Sequence, residues 1–149
     1  MVPIIMPVLS ILLSLAITLC IETWIYMLLK RFSLKLFFVA SAMNLILNTT
    51  MNVLLVLFGT ETLSYWLILS AYEVGTIFME SLIIFLFFSF KYFKTLLVAL
   101  IANVSSFVVG LALGPVHSNN VLAIIFTSLF FLGYLVLYAL TIKASLAHR

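Results

Sequence analysis

The sequence predicts an all-α transmembrane fold: a five-helix bundle with its N-terminus outside the cell and its C-terminus in the cytoplasm. Three observations lead there. Polar surface is too scarce for a water-soluble globule, five apolar runs have membrane-spanning length, and the basic residues fall on one side. The chain is 66% hydrophobic and 7% charged, with a mean hydropathy of +1.40 over 149 residues. A soluble domain carries about a quarter charged residues, so lipid has to cover most of this surface. At this length the chain reads as a single integral membrane domain, residues 1–149.

A spanning helix needs roughly 20 mainly apolar residues. Such stretches cover about 4–29, 36–58, 63–90, 93–113 and 121–142. The breaks between them are chemically distinct. Lys30, Arg31 and Lys35 interrupt the first pair, Gly59 and Glu61 the second, Lys91 and Lys94 the third. Gly114-Pro115, followed by His117, Ser118, Asn119 and Asn120, is a strong turn signal. Short connections predict that sequential helices are antiparallel neighbours. The first segment lacks the basic n-region of a signal peptide, and Ile17-Thr18-Leu19-Cys20 fits a lipoprotein cleavage site poorly. It is expected to be a retained helix.

With five spans, the first connection, the third connection and the C-terminal tail share one side. That side carries all seven Lys and Arg, while the other carries Glu61. The positive-inside rule makes the basic side cytoplasmic. The expectation is a multi-pass protein of the cell membrane, with the lipid bilayer as its main partner. A net charge of +3 does not signal nucleic-acid binding, because the basic residues form short turns and no soluble basic face. Trp24, Tyr26, Tyr65, Trp66 and Tyr92 lie toward helix ends and are expected to act as interfacial anchors.

The first two helices resemble the next two. Glu22 and Asn44 are 22 residues apart, Glu80 and Asn103 are 23 apart, and Lys35–Asn44 and Lys94–Asn103 are both nine apart. Both hairpins cross in the same sense, so this would be a parallel repeat about an axis along the membrane normal, with the fifth helix added. Chance matching in so restricted an alphabet is the alternative.

Polar groups at membrane depth carry the functional information. Glu22 lies eight residues before Lys30, Asn44 nine beyond Lys35, Glu80 eleven before Lys91 and Asn103 nine beyond Lys94. At 1.5 Å per residue all four lie about 12–16 Å in from the basic flanks. Glu73, seven residues before Glu80, shares its helix face and sits about 10 Å farther out. Asn44, Asn48 and Asn52 recur at i, i+4 and i+8, with Ser41 extending the row. Ala99, Asn103, Ser106 and Gly110 form a narrow stripe of small and polar residues, the kind that faces other helices.

An ionised acid near a helix centre costs on the order of 2.5–3.5 kcal/mol, and no Lys or Arg lies within the spans to offset it. A neutral acid, a bound cation or a water-filled cavity would each remove that cost. Carboxylate and amide oxygens suit protons and hard cations, and a neutral acid beside amides suits a small polar solute. The candidate ligand- or ion-binding residues are therefore Glu22, Asn44, Asn48, Glu73, Glu80 and Asn103. The competing reading makes the same groups interhelical glue, worth about 0.6–2 kcal/mol each. Glu61 reads as a solvated loop charge and His117 as a loop residue.

Ala42-Met43-Asn44-Leu45-Ile46-Leu47-Asn48-Thr49, with Glu22 before it, resembles a pattern of small uncharacterised bacterial polytopic membrane proteins. So does Glu80 followed by Ala102-Asn103-Val104-Ser105-Ser106-Phe107 and Gly110. The resemblance covers four of the five helices. Those proteins often carry a proline in the first asparagine segment, whereas here Thr50-Met51-Asn52 has none. It implies a repeated Glu…Asn hairpin and no particular activity.

Several chemistries lack their motifs. Cys20 is the only cysteine, so no intrachain disulfide forms. The sequons at Asn48 and Asn103 lie within spans. No His/Cys cluster has zinc-ligand spacing and no Gly-rich phosphate loop occurs, so no cofactor is expected. His117 and His148 fall on opposite sides, which disfavours a nucleophile–His pair. An enzyme using Glu22 or Glu80 as a base ranks last, because no nucleophile or metal set accompanies the acids. A small transport or channel-like protein, or a substrate-binding subunit of a transporter, ranks first. A non-catalytic subunit of a membrane complex ranks second. A membrane-protein partner or homo-oligomerisation is compatible with both.

Overall fold

The computed structural model describes residues 5–29, 33–58, 62–113 and 120–147. They form five helices: α1 (Ile5–Met27), α2 (Leu34–Phe58), α3 (Thr62–Phe88), α4 (Tyr92–Ala112) and α5 (Asn120–Ala147). All five are long and apolar enough to cross a membrane, which is compatible with a multi-pass membrane protein. Each is apolar nearly all round, as a helix is when both its packed and its outer faces avoid water. Lys30, Arg31, Glu61, His117, His148 and Arg149 lie outside the described residues.

Most helix ends lie within two residues of the hydropathy reading, and two of the differences have a local cause. α3 stops at Phe88 and not Phe90, because Ser89 adopts a left-handed φ of 53°. The Ser89 amide donates to the Phe85 carbonyl at 3.0 Å, closing the last turn as a left-handed cap does. α5 continues to Ala147, five residues past Ile142. Lys143 ends the apolar run but not the helix: Ala144, Ser145, Leu146 and Ala147 contain no breaker.

α1 to α4 form a four-membered ring in which α1 touches α2 and α4, and α3 touches α2 and α4. α1 and α3 therefore stand on one diagonal, α2 and α4 on the other. α5 packs outside the ring against α1 and α2. The expectation that every sequential pair is adjacent fails at this last step: no described Cα atoms of α4 and α5 approach within 8 Å. Both pack on α1 instead, sharing the cluster around Leu13, Ile17 and Ala123. The 113–119 connection can extend about 25 Å at most, enough to pass α1, since two interaxial spacings come to about 16–20 Å.

α5 runs parallel to α1, with Ala123 in the cluster that holds Leu13 and Leu137 in the cluster that holds Tyr26. Gly133 marks their close approach, where an added Cβ would lie 3.1 Å from Cys20 Sγ. The α5–α2 contact is fixed by the Tyr134 hydroxyl, which donates to Ser41 Oγ at 2.8 Å, and by Phe37 against the Tyr134 and Tyr138 rings. At the same end of the ring, Lys35 donates to the Phe87 carbonyl at 3.4 Å and lies over the Phe87 and Phe88 rings. A cation there complements the C-terminal end of α3.

The larger of the two buried apolar clusters also lies at that end. Tyr26, Met27, Leu36, Phe37, Ala40, Met43, Ile84, Ala99 and Ala102 are all buried in one cluster. Their small members, Ala40, Ala99 and Ala102, let α2 and α4 approach the ring axis. This cluster seals the centre of the bundle on the side of Lys35, Lys91 and Lys94. The centre of the opposite half is open.

Candidate functional site

The ring geometry leaves a space at its centre that backbones on the diagonals do not reach, and polar side chains fill it. Glu22 on α1 and Glu80 on α3 point in from one diagonal, Asn44 on α2 and Asn103 on α4 from the other. All four are at most 5% exposed. The depth-matched set from four helices therefore meets at one level.

All four carboxylate oxygens are engaged. Glu80 Oε2 accepts from the Tyr26 hydroxyl at 2.8 Å and from Asn103 Nδ2 at 2.5 Å. The partners around Asn44 assign its amide nitrogen toward the acids, where it donates to Glu22 Oε2 at 3.2 Å and Glu80 Oε1 at 3.1 Å. Ser106 Oγ hydrogen bonds Glu22 Oε1. Asn103 is itself held by the Ala99 carbonyl at 3.0 Å and by the Thr76 hydroxyl at 3.3 Å. Among the described residues no Lys or Arg side chain joins this network; Lys35, Lys91, Lys94 and Lys143 all lie near helix ends.

Ser106 shows how the network can handle a proton. Its hydroxyl also lies 3.0 Å from the Asn103 carbonyl, but it has only one proton to donate. With Glu22 ionised, Ser106 donates to the carboxylate. With Glu22 protonated, the acid donates to Ser106, which turns its own proton to the Asn103 carbonyl. Either state satisfies every polar atom of the triad without moving a helix.

Above the acids, away from the sealed end, a cavity of about 350 Å³ opens between α1, α2, α3 and α4. Glu22, Asn44, Glu80 and Asn103 form its floor, and its walls reach Ser10, Leu55, Tyr65 and Leu111 near the far end of the helices. That is ample for a chain of waters or a small solute. Asn48 and Glu73, the other two sequence candidates, line the wall above the floor. Asn48 Nδ2 donates to Thr18 Oγ1 at 2.7 Å, and Asn52 donates to Asn48 Oδ1 at 2.8 Å. Glu73 is half-buried, and its carboxylate accepts no hydrogen bond among the described residues. No three His, Cys, Asp or Glu side chains among those residues gather as a metal-holding set.

Tyr26 corrects one sequence expectation. It is no interfacial anchor: it is fully buried and bonds Glu80 directly beneath the floor. Its position four residues after Glu22 puts both on one face of α1, a signal that position near a helix end obscured. Ser106 joins the cluster for the same kind of reason, three residues beyond Asn103. Tyr65 and Trp66 do sit near a helix end, but they also line the cavity. Tyr72, absent from the sequence candidates, ties α3 to α2 by donating to the Leu47 carbonyl at 2.6 Å.

Comparison with protein-family models, with curated proteins and with solved structures gives no match.

Proposed function

We propose that this chain is a small membrane transport protein, or the substrate-binding membrane subunit of a transporter, that admits a proton, a cation or a small polar solute from outside the cell. The observation that carries the reading is a polar cavity ending blind on two buried carboxyl groups held by amides and hydroxyls. Such groups are costly in a bilayer and mark ion or substrate pathways by default. The floor of Glu22, Asn44, Glu80 and Asn103 is the binding site in this reading, and Asn48 and Glu73 line the approach. The apolar cluster around Tyr26, Phe37 and Ile84 is the closed inner gate.

The orientation follows the basic residues. Lys35, Lys91, Lys94 and Lys143 at the sealed end support a cytoplasmic assignment for it, so the cavity faces out in the cell membrane. A parallel repeat is part of the same reading. α1 and α3 occupy one diagonal and α2 and α4 the other, as a twofold axis along the membrane normal requires. Thr18-x-x-x-Glu22 recurs as Thr76-x-x-x-Glu80, and Ala40-x-x-x-Asn44 as Ala99-x-x-x-Asn103. Transporters of repeat architecture place their sites at the repeat interface near mid-membrane.

A second reading, a non-catalytic subunit that stabilises a partner, draws on the fact that every carboxylate oxygen of the floor is already bonded within the chain. The two separate by experiment. Purified protein is reconstituted in liposomes carrying a pH dye, and proton, alkali-cation and amine fluxes are followed with and without an imposed gradient. A flux present in the parent and lost in Glu22→Gln/Glu80→Gln supports transport. Equal behaviour of both proteins toward every solute would sink it in favour of the interaction subunit.

A further inference from the structure

Glu73 stands where two different spaces meet. One is the polar cavity already described. The other is a groove of about 270 Å³ on the outer face of the α3–α4 pair, walled by apolar side chains such as Val74, Ile77 and Val104. Trp66, Leu69, Glu73, Asn103 and Phe107 line both. Val74 and Val104 are about half exposed on the outside of the ring, where a membrane helix meets acyl chains. The polar cavity is thus separated from the lipid-facing groove by little more than these shared side chains.

We propose that the α3–α4 groove and the outer part of the cavity form a binding site for a single-chain amphipathic amine entering sideways from the bilayer. Its ammonium pairs with Glu73 and its alkyl chain lies in the groove. Three features select this ligand. Glu73 is an acid without a hydrogen-bond partner among the described residues, so it has an unmet demand for a donor. Its flanking aromatics, Trp66 and Phe107, favour a cation over a neutral donor. The groove around it is mostly apolar and runs along α3 about 10 Å from Glu73 to Trp66 and about 6 Å from Glu73 to Ile77, which suits one alkyl chain. An amine that reaches Glu73 from lipid as the free base accepts the proton of a neutral carboxyl. The resulting ion pair has no net charge, so the bilayer need not host an isolated ion.

The inference rests on the cavity being a ligand site, as proposed above, but on Glu73 and the groove and not on the acid pair. The test uses the full chain in lipid nanodiscs and reads thermal stability and tryptophan fluorescence. The probes are dodecylamine, dodecan-1-ol, dodecanoate and methylamine. Dodecylamine should give a saturable stabilisation that the alcohol, the acid and the short amine do not reproduce. Glu73→Gln should weaken its half-saturation about tenfold or more, the loss expected for one ion pair with cation–π support. Val104→Trp, a lipid-facing change that fills the groove, should weaken dodecylamine while sparing helix packing. Glu22→Gln/Glu80→Gln should retain the dodecylamine response, so that failure at the floor and failure at Glu73 are told apart. Equal effects of dodecylamine and dodecan-1-ol, or a dodecylamine response untouched by both Glu73→Gln and Val104→Trp, would overturn the proposal. So would the absence of any saturable dodecylamine response.

Discussion

Among the described residues Asn44 is the only side chain that bonds both acids, and replacing it with leucine tests whether the floor of the cavity is a single coupled unit. Leucine has the branched outline of asparagine and is somewhat larger, so the change removes hydrogen bonds without opening a void, and the cavity above the floor leaves room for the added bulk. Two are lost, to Glu22 Oε2 at 3.2 Å and to Glu80 Oε1 at 3.1 Å. An interhelical hydrogen bond in a membrane protein is worth about 0.6 kcal/mol on average and about 1.7 at most, so two give about 1.2–3.4 kcal/mol. A value near the bottom of that range would mean neutral acids. Hydrogen bonds to ionised groups are worth about 1.5–3 kcal/mol each, so a value near the top would mean that at least one acid is charged. Equilibrium unfolding in mixed micelles, followed by tryptophan fluorescence, measures the loss. Pairing Asn44→Leu with Glu80→Leu in a double-mutant cycle isolates the one shared bond, with an expected coupling of about 0.6–1.7 kcal/mol. A total loss below about 0.5 kcal/mol, the range of a neutral surface change, together with strict additivity, would refute the described network.

Tyr26→Phe removes the Glu80 bond beneath the floor and should cost about 0.6–1.7 kcal/mol by the same unfolding assay. Gly133→Leu drives a side chain into Cys20 and α1, and should destabilise by about 1–3 kcal/mol through overpacking; the double variant with Cys20→Ala should recover part of it. Gly110 borders the cavity, and a Cβ there meets nothing within 4 Å. Gly110→Ala should therefore be neutral or raise stability by up to about 1 kcal/mol through helix propensity. With Cys20 replaced by Ser, Thr60→Cys should react with a membrane-impermeant thiol reagent on whole cells and Lys91→Cys should not. The reverse pattern would invert the orientation.

The helices and the floor of the site were legible because each rests on a local rule. Span length gave the five helices, and a 1.5 Å rise from the basic flanks brought Glu22, Asn44, Glu80 and Asn103 to one depth. The sequence rules were weaker where long-range geometry decides. Neighbour order failed at α5, since among the described residues α4 and α5 both pack on α1 and not on each other. Tyr26 was hidden because depth alone does not separate a buried hydroxyl from an interfacial one; only the face it shares with Glu22 does. The cavity has no signature in the sequence, because it arises from the difference in packing between two halves of one ring. Small Ala40, Ala99 and Ala102 close one half, whereas polar and aromatic residues hold the other apart. Ser89 illustrates a third kind of miss, a left-handed backbone at a residue other than glycine that ends α3 two residues early.

The central claim is that the buried acid–amide floor binds a ligand, and ligand-dependent thermal stability tests it most directly. Purified protein is melted across a panel of cations, pH values and small polar solutes, in parallel with Glu22→Gln/Glu80→Gln. A ligand bound only by the folded state raises the melting temperature by mass action, with about 2.7 kcal/mol of stabilisation at a hundredfold excess over Kd. A saturable rise in the parent that is absent from the double variant is the expected result. A parent protein that melts identically under every condition, or a rise of equal size in both proteins, would contradict a binding role for Glu22 and Glu80.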